Sequence, residues 1–276
     1  MISSALNQLH LELPASFPVN PIIGESTYCQ LTSAFEHYHQ SLLNDDSALG
    51  YIVGRGISVN TIEQYRLGFG DRTLLQQITG EKKRKLVRRS LQCTGFIKPN
   101  GREIFRGCIS FPVKRLNLIV GGYGRLRARN CCWGSSPYTY HLIEEDTLFN
   151  QDILESRPKS IVLVKSPLEA VSLIQVYPEP CIGLIHLPLL TDEQIALLNH
   201  SGVKLVKICI NPTEFWQKKI SQIAIKLLSV GIRVKVVALP VWHDVNQLLQ
   251  DARGDKVLIK LIQHAQKWQG GSNATY

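Results

Sequence analysis

Residues 161–174 read IVLVKSPLEAVSLI, and this stretch decides the architecture of the second half of the chain. Four consecutive apolar residues, Ile161 to Val164, have the length and β-branching of a strand buried on both faces. Pro167 fits the first turn of a helix, because its ring presets φ and the missing N–H is one a helix start does not use. Ala170, Val171 and Ile174 then supply an apolar helical face. A strand, a tight turn and a helix of this kind carry functional groups at the carboxyl end of the strand in α/β proteins. The residues there are Lys165 and Ser166.

Working outward, strands and helices alternate. Strands are expected at 161–165, 181–185, 204–210 and 232–238, and helices at 168–176, 191–199 and 215–230. Thr191-Asp-Glu is a good helix start, and Gly202 and Gly231 are good stops. Such alternation predicts a mainly parallel sheet covered by helices. Before it, the periodicity differs. Residues 1–28 contain prolines at 14, 18 and 21 and read as an extended arm. Leu31, Phe35 and Leu42 share a helical face, and Asn60 with Glu63 forms a capping-box pattern. A basic helix is expected before Gly95, with Leu86 and Val87 toward the core and Lys82, Lys83, Arg84, Arg88 and Arg89 fanned over the surface. Segments 104–114, 117–129 and 138–143 read as neighbouring antiparallel strands. The expected class is therefore α/β: an α+β basic subdomain (29–156), a parallel αβ domain (157–252) after a junction at "RPKS", and a C-terminal helix at 255–268 with a tail, together 253–276.

Charge is unevenly placed. The 276 residues carry a net +9, but Arg55 to Arg129 hold 17 Lys+Arg against 4 Asp+Glu, a local +13. That excess favours a polyanionic partner over a merely solvated helix face. On the antiparallel strands Arg106, Arg125, Arg127 and Arg129 lie near Tyr123, Trp133 and Tyr140. Fixed cations interleaved with aromatic faces suit single-stranded DNA or RNA. Tyr123 reads equally well as a core ring. The seven cysteines contain no Cys-x-x-Cys pair, which points to reduced thiols. No apolar run reaches 18 residues and the N-terminus lacks a secretion pattern, so a cytoplasmic protein without a membrane partner is expected.

RGISVNTIEQYRLGFG, FRGCISFPV and IVGGYGR, in this order and spacing, resemble the core of bacterial replicative DNA primases, and the following αβ alternation resembles their TOPRIM domain. The resemblance covers about residues 45 to 250. It implies a basic subdomain that cradles template, with Arg106, Arg125 and Tyr140 at matching positions, and a TOPRIM site whose carboxylates hold Mg²⁺ for primer synthesis. At those carboxylate positions this chain has Lys165, Asn211, Thr213, Asp244 and Asn246, so one acid of five remains. The chemistry this leaves is poor: a lysine repels a divalent cation, and amides and hydroxyls do not restore the lost charge. Glu169, on the helix after Lys165, is expected to face away from the sheet. Such primases carry an N-terminal zinc ribbon and a helicase-recruiting region; the expectation here is a stripped core without them, since Cys29 alone makes no zinc site.

The expectation is a catalytically degenerate pseudo-primase that binds single-stranded nucleic acid through its basic half, without metal or cofactor, in a mobile element. An active primase using Mg²⁺ with an unusual or shared site is one alternative. A protein-interaction module that docks a replication or recombination protein is another. If the old metal site is filled in, Lys165 should reach Asp244, with Asn211 or Thr213 alongside.

Overall fold

A computed structural model of the chain describes residues 25–127, 138–142 and 146–270. Two compact units divide it: residues 1–52 with 62–145, and residues 53–61 with 146–276. The division thus precedes the "RPKS" junction, and a short upstream segment joins the second unit. The reason lies in hydrogen bonding. Phe149 exchanges backbone hydrogen bonds with Gly183, and the Gln194 side chain donates to the Asp146 carbonyl. Residues 146–156 are thereby tied to the parallel sheet.

In the first unit, α1 (Glu25–Leu43) begins inside the segment expected to be an extended arm. It buries Tyr28, Leu31, Phe35, Tyr38 and Leu42, a 3-and-4 spacing that gives one apolar stripe. α2 (Asp46–Val53) follows, and α3 (Val59–Gln64) begins in the segment assigned to the second unit and ends in the first. The sheet has the order β1-β2-β3-β4, all antiparallel: β1 (Gly68–Phe69), β2 (Cys108–Arg115), β3 (Leu118–Leu126) and β4 (Tyr138–Leu142). Leu116 and Asn117, both at positive φ, make the two-residue β2–β3 turn, the backbone shape that suits a hairpin's twist. Gly122 and Gly124 let other chain segments approach β3. A Cβ at Gly122 would enter the Phe35 ring, and one at Gly124 would lie 2.5 Å from Phe105. The glycines of IVGGYGR therefore serve packing, as a core of Phe35, Tyr38, Phe96 and Phe105 rings closes over them.

α4 (Glu81–Cys93) is the expected basic helix. Its core face is narrower than anticipated: Leu91 is fully buried and Val87 partly, but Leu86 is 64% exposed. Val87 and Leu91 stand four apart on one face, and Leu86 is rotated about 100° from Val87. The run of cations on both sides leaves no second apolar neighbour to draw Leu86 inward.

The second unit has a five-stranded sheet in the order β6-β5-β7-β8-β9. β5 (Ser160–Val164), β6 (Cys181–Gly183), β7 (Leu205–Ile208) and β8 (Arg233–Val236) are parallel. Helices α5 (Pro167–Ile174), α6 (Asp192–His200) and α7 (Glu214–Ser229) alternate with them. Each has its capping side chain. Ser166 accepts from the Glu169 N–H, Thr191 forms a capping box with Gln194, and Thr213 accepts from the Trp216 N–H. Such caps are each worth about 1 kcal/mol. Two helices follow β8: α8 (Val245–Gln250) and α9 (Gly254–Gln263). The C-terminal helix is shorter than expected. Gln266–Lys267 form β9, an antiparallel edge strand on β8, and the Trp268 N–H donates to the Val234 carbonyl. Leu258 and Ile262 are buried, so α9 packs within the second unit. The α/β class stands: a mainly parallel sheet puts the ends of β5, β7 and β8 along one edge.

Candidate functional site

That edge carries the lysine of the opening motif. Lys165 directly follows β5, and its Nζ donates to Asn211 Oδ1 at 2.7 Å. The same ammonium lies 3.5 Å from Asp244 Oδ2 and 3.4 Å from Glu169 Oε1. The expected lysine–aspartate pair is present, with Asn211 alongside. The side chains are 19% (Lys165), 27% (Asp244) and 2% (Glu169) exposed, so the cluster is largely removed from water.

Local sequence explains each position. Asp244 caps α8: its Oδ1 accepts from the Gln247 N–H, and the Gln247 side chain accepts from the Asp244 N–H. The second carboxylate oxygen is thereby left aimed at Lys165. Asn211 is oriented by donating its Nδ2 to the Val241 carbonyl at 3.1 Å, which also ties the loops after β7 and β8 together. Glu169 does not face away from the sheet. Every residue from Pro167 to Leu173 is buried, so α5 has no solvent side on which a carboxylate could stand. Lys165 lies just before the Ser166 cap, and Glu169 in the first turn of α5 comes back within 3.4 Å of it.

Two other predicted positions lie apart from this cluster. Thr213 spends its hydroxyl on the α7 cap. Asn246 is buried and accepts from Arg55 Nη1 at 2.8 Å, while its Nδ2 donates to the Arg55 carbonyl and to Ser172 Oγ. It is a structural tie that fastens residues 53–61 to the second unit.

The basic positions of the first unit sort into three kinds. Lys82, Lys83, Arg84 and Arg88 are all exposed on α4, whose only carboxylate, Glu81, pairs with Lys85 at 2.7 Å. Arg84 is anchored as well, donating from Nε and Nη2 to the Ile78 carbonyl. Arg106 is exposed but sits in the turn before β2, not on the strand pair. Arg125 and Arg127 are half-buried and engaged. Burial disfavours the charge of Arg125, and the Tyr123 and Tyr51 hydroxyls beside it outweigh that, leaving its pKa raised. The Arg127 guanidinium lies 4.9 Å over the Phe69 ring and 3.6 Å from Asp45. Tyr51 and Asp45, both on or beside α2, were not legible as partners from their sequence neighbours. Tyr123 is a core ring, 5.7 Å from Phe111, whereas Tyr140, opposite it on β4, is exposed. Arg129 and Trp133, like Cys131 and Cys132, lie outside the described residues. Of the candidate nucleic-acid residues, those on α4, Arg106 and Tyr140 are exposed.

Two further features bear on chemistry. Among the described residues no group of three His, Cys, Asp or Glu side chains is placed to hold a metal ion, and no helix is long and apolar enough to cross a membrane. In the first unit, Asp71 accepts from Ser41 and Thr73 and faces His37. Burial would raise its pKa, but these hydrogen bonds and the nearby His37 prevail and hold it below the usual value. Glu103 shows the reverse: burial pushes its carboxyl up, although the Tyr38 hydroxyl donates to it.

No protein-family model matches the chain. A DNA primase of Chlamydia pneumoniae is 27% identical over 229 residues, covering 80% of this chain and 38% of that protein. The zinc-binding and RNA polymerase domains of the Aquifex aeolicus primase superpose with a TM-score of 0.75 at 22% identity, over 88% of this chain and 62% of that one. A DnaG primase catalytic domain bound to ssDNA superposes with a TM-score of 0.71 at 20% identity, over 88% and 82%. The chain therefore spans less than two thirds of the first two proteins. The chain is thus similar in sequence to a bacterial DNA primase and has the fold of the DnaG primase catalytic core.

Proposed function

We propose that this chain is a catalytically degenerate, primase-like replication protein that binds single-stranded nucleic acid through its basic first unit. The observation that carries the loss of catalysis is the Lys165 ammonium among Asn211, Asp244 and Glu169. If the second unit is a TOPRIM domain, this cluster stands where its carboxylates would gather Mg²⁺. A divalent cation brought there would meet a fixed positive charge, which already offsets one of the two negative charges of the carboxylates near it. The binding half of the proposal rests on α4, where exposed cations outnumber a single carboxylate, and on the relative that was solved with ssDNA. A cytoplasmic setting, carriage on a mobile element and independence from a metal cofactor belong to the same proposal.

The test uses the full chain with a labelled dT20 oligonucleotide across a salt series, and with Mg²⁺ and ribonucleotides on a primable template. Binding that weakens linearly in log K against log salt, with no primer made, is the expected outcome. Substituting Lys82, Lys83, Arg88 and Arg89 together by Glu should weaken binding and flatten that slope. Arg84 is left in place because it holds the Ile78 carbonyl. Metal-dependent primer synthesis would overturn the degenerate reading. Salt-independent binding would remove the basic-half reading.

A further inference from the structure

The carboxyl edge of the parallel sheet has a feature that the Lys165 cluster does not use. Trp242 is 85% exposed, the most exposed of the large apolar side chains among the described residues. It sits at the third position of the turn Pro240–His243, closed by the His243 N–H donating to the Pro240 carbonyl. Its ring makes no ring contact or hydrogen bond with the described residues. The adjacent loop carries a second open ring. Phe215, 56% exposed, stands in the first turn of α7, braced edge-on by Trp216 at 5.5 Å and 84°. The Lys219 ammonium lies 5.8 Å from the Phe215 ring. Lys218, also exposed, contacts Glu214 loosely at 3.5 Å. The Asn211–Val241 hydrogen bond holds the two loops side by side, so both rings belong to one edge of one sheet.

An indole left in water forfeits the burial that normally retains one. A protein partner would ask for a broad apolar centre around such an anchor. Here the residues flanking the two rings along the chain are mostly polar: Lys218, Lys219, His243 and Gln247, with Glu214 and Asp251 paired to Lys218 and His243, and Val241 adding exposed apolar area. Open ring faces at Trp242 and Phe215, the latter beside the Lys219 ammonium, match what a flexible single strand presents, since its bases are unstacked and its phosphates are close by. We propose that Trp242 and Phe215 form a second single-strand contact, stacking bases at this edge while Lys218 and Lys219 meet phosphates. This rests on the binding activity proposed above but places nucleic acid on the second unit, where that proposal puts none.

The experiment compares dT20 binding by the full chain with Trp242→Ala, Trp242→Phe and Phe215→Ala. Alanine at 242 should weaken binding between about 5- and 100-fold, the range for one lost base–aromatic stack. Phenylalanine at 242 should stay within about twofold of wild type. The salt slope of Trp242→Ala should equal that of wild type, because no phosphate contact is removed. Equal affinity of Trp242→Ala and wild type overturns this inference while leaving the basic-half reading in place. Absence of dT20 binding by wild type overturns both. Sedimentation showing a wild-type dimer that Trp242→Ala dissolves, with dT20 affinity unchanged, assigns the edge to a second copy of the chain and overturns it too.

Discussion

Replacing Lys165 by Met keeps most of the apolar stem and deletes the ammonium from the cluster. At 3.4 and 3.5 Å the two ion pairs are each worth about 5 kcal/mol in Coulomb energy at an effective dielectric constant of about 20. Most of that is offset by the desolvation of three charges. What the substitution exposes is the offset itself. Asp244, 27% exposed, can recover water, but Glu169 at 2% cannot, so an uncompensated carboxylate remains in the core of α5. Breaking one side of a buried pair costs about 3–5 kcal/mol, and the openness of Asp244 puts this case near the lower end, at about 3 kcal/mol. Glu169→Gln should cost about 1 kcal/mol, since Lys165 keeps Asp244 and Asn211. The double variant should be more stable than Lys165→Met alone, with a coupling energy of about 2 kcal/mol. Urea unfolding followed by tryptophan fluorescence reads this, because three of the four tryptophans, Trp216, Trp242 and Trp268, lie in the second unit. Additive losses within about 0.5 kcal/mol would show that the three side chains do not act as one cluster, and the argument that a lysine has closed this site would fail with them.

Lys165→Glu should convert the cluster into a cation site, since it adds a third carboxylate beside Glu169 and Asp244. Millimolar Mn²⁺ should then raise the unfolding temperature of the variant and leave wild type unchanged. A variant indifferent to Mn²⁺ refutes the geometry. Arg106→Glu should change stability by no more than about 0.5 kcal/mol, because the side chain is exposed in a turn. Arg125→Glu should cost about 2 kcal/mol or more, because it buries a carboxylate where Tyr51 and Tyr123 now meet a cation. Equal melting of the two variants contradicts that assignment. Asp71 has a lowered pKa in the folded chain, so its contribution is present above its unfolded value of about 3.9 and is lost as pH falls through the folded value. The stability gap between wild type and Asp71→Asn should therefore narrow from pH 6 to pH 3, measured as the urea midpoint. A constant gap removes the role of the carboxylate charge.

The alternation of β5 to β8 with α5 to α7 was legible in the sequence because each level of signal agreed. Ile161–Val164 is too apolar to face water, Pro167 can begin a helix, and Thr191 brings its own cap. Strand periodicity and caps are local, and local chemistry is what a sequence displays. The meeting of Lys165 with Asp244 was also legible, since parallel strands deliver their carboxyl ends to one edge. Tertiary structure alone decided the rest. Whether Glu169 faces the sheet or the solvent depends on both sides of α5 being covered, which no residue within α5 reveals. Leu86 stays in water because its neighbours leave the core nothing to enclose around it. Arg125 and Arg127, indistinguishable from Arg106 in sequence, are drawn in by Tyr51, Phe69 and Asp45, residues more than fifty positions away. Sequence records which charges and apolar groups exist and their spacing along one segment. The identity of the partner that neutralises or buries each is a property of distant segments brought together, and it exists only once the chain is folded.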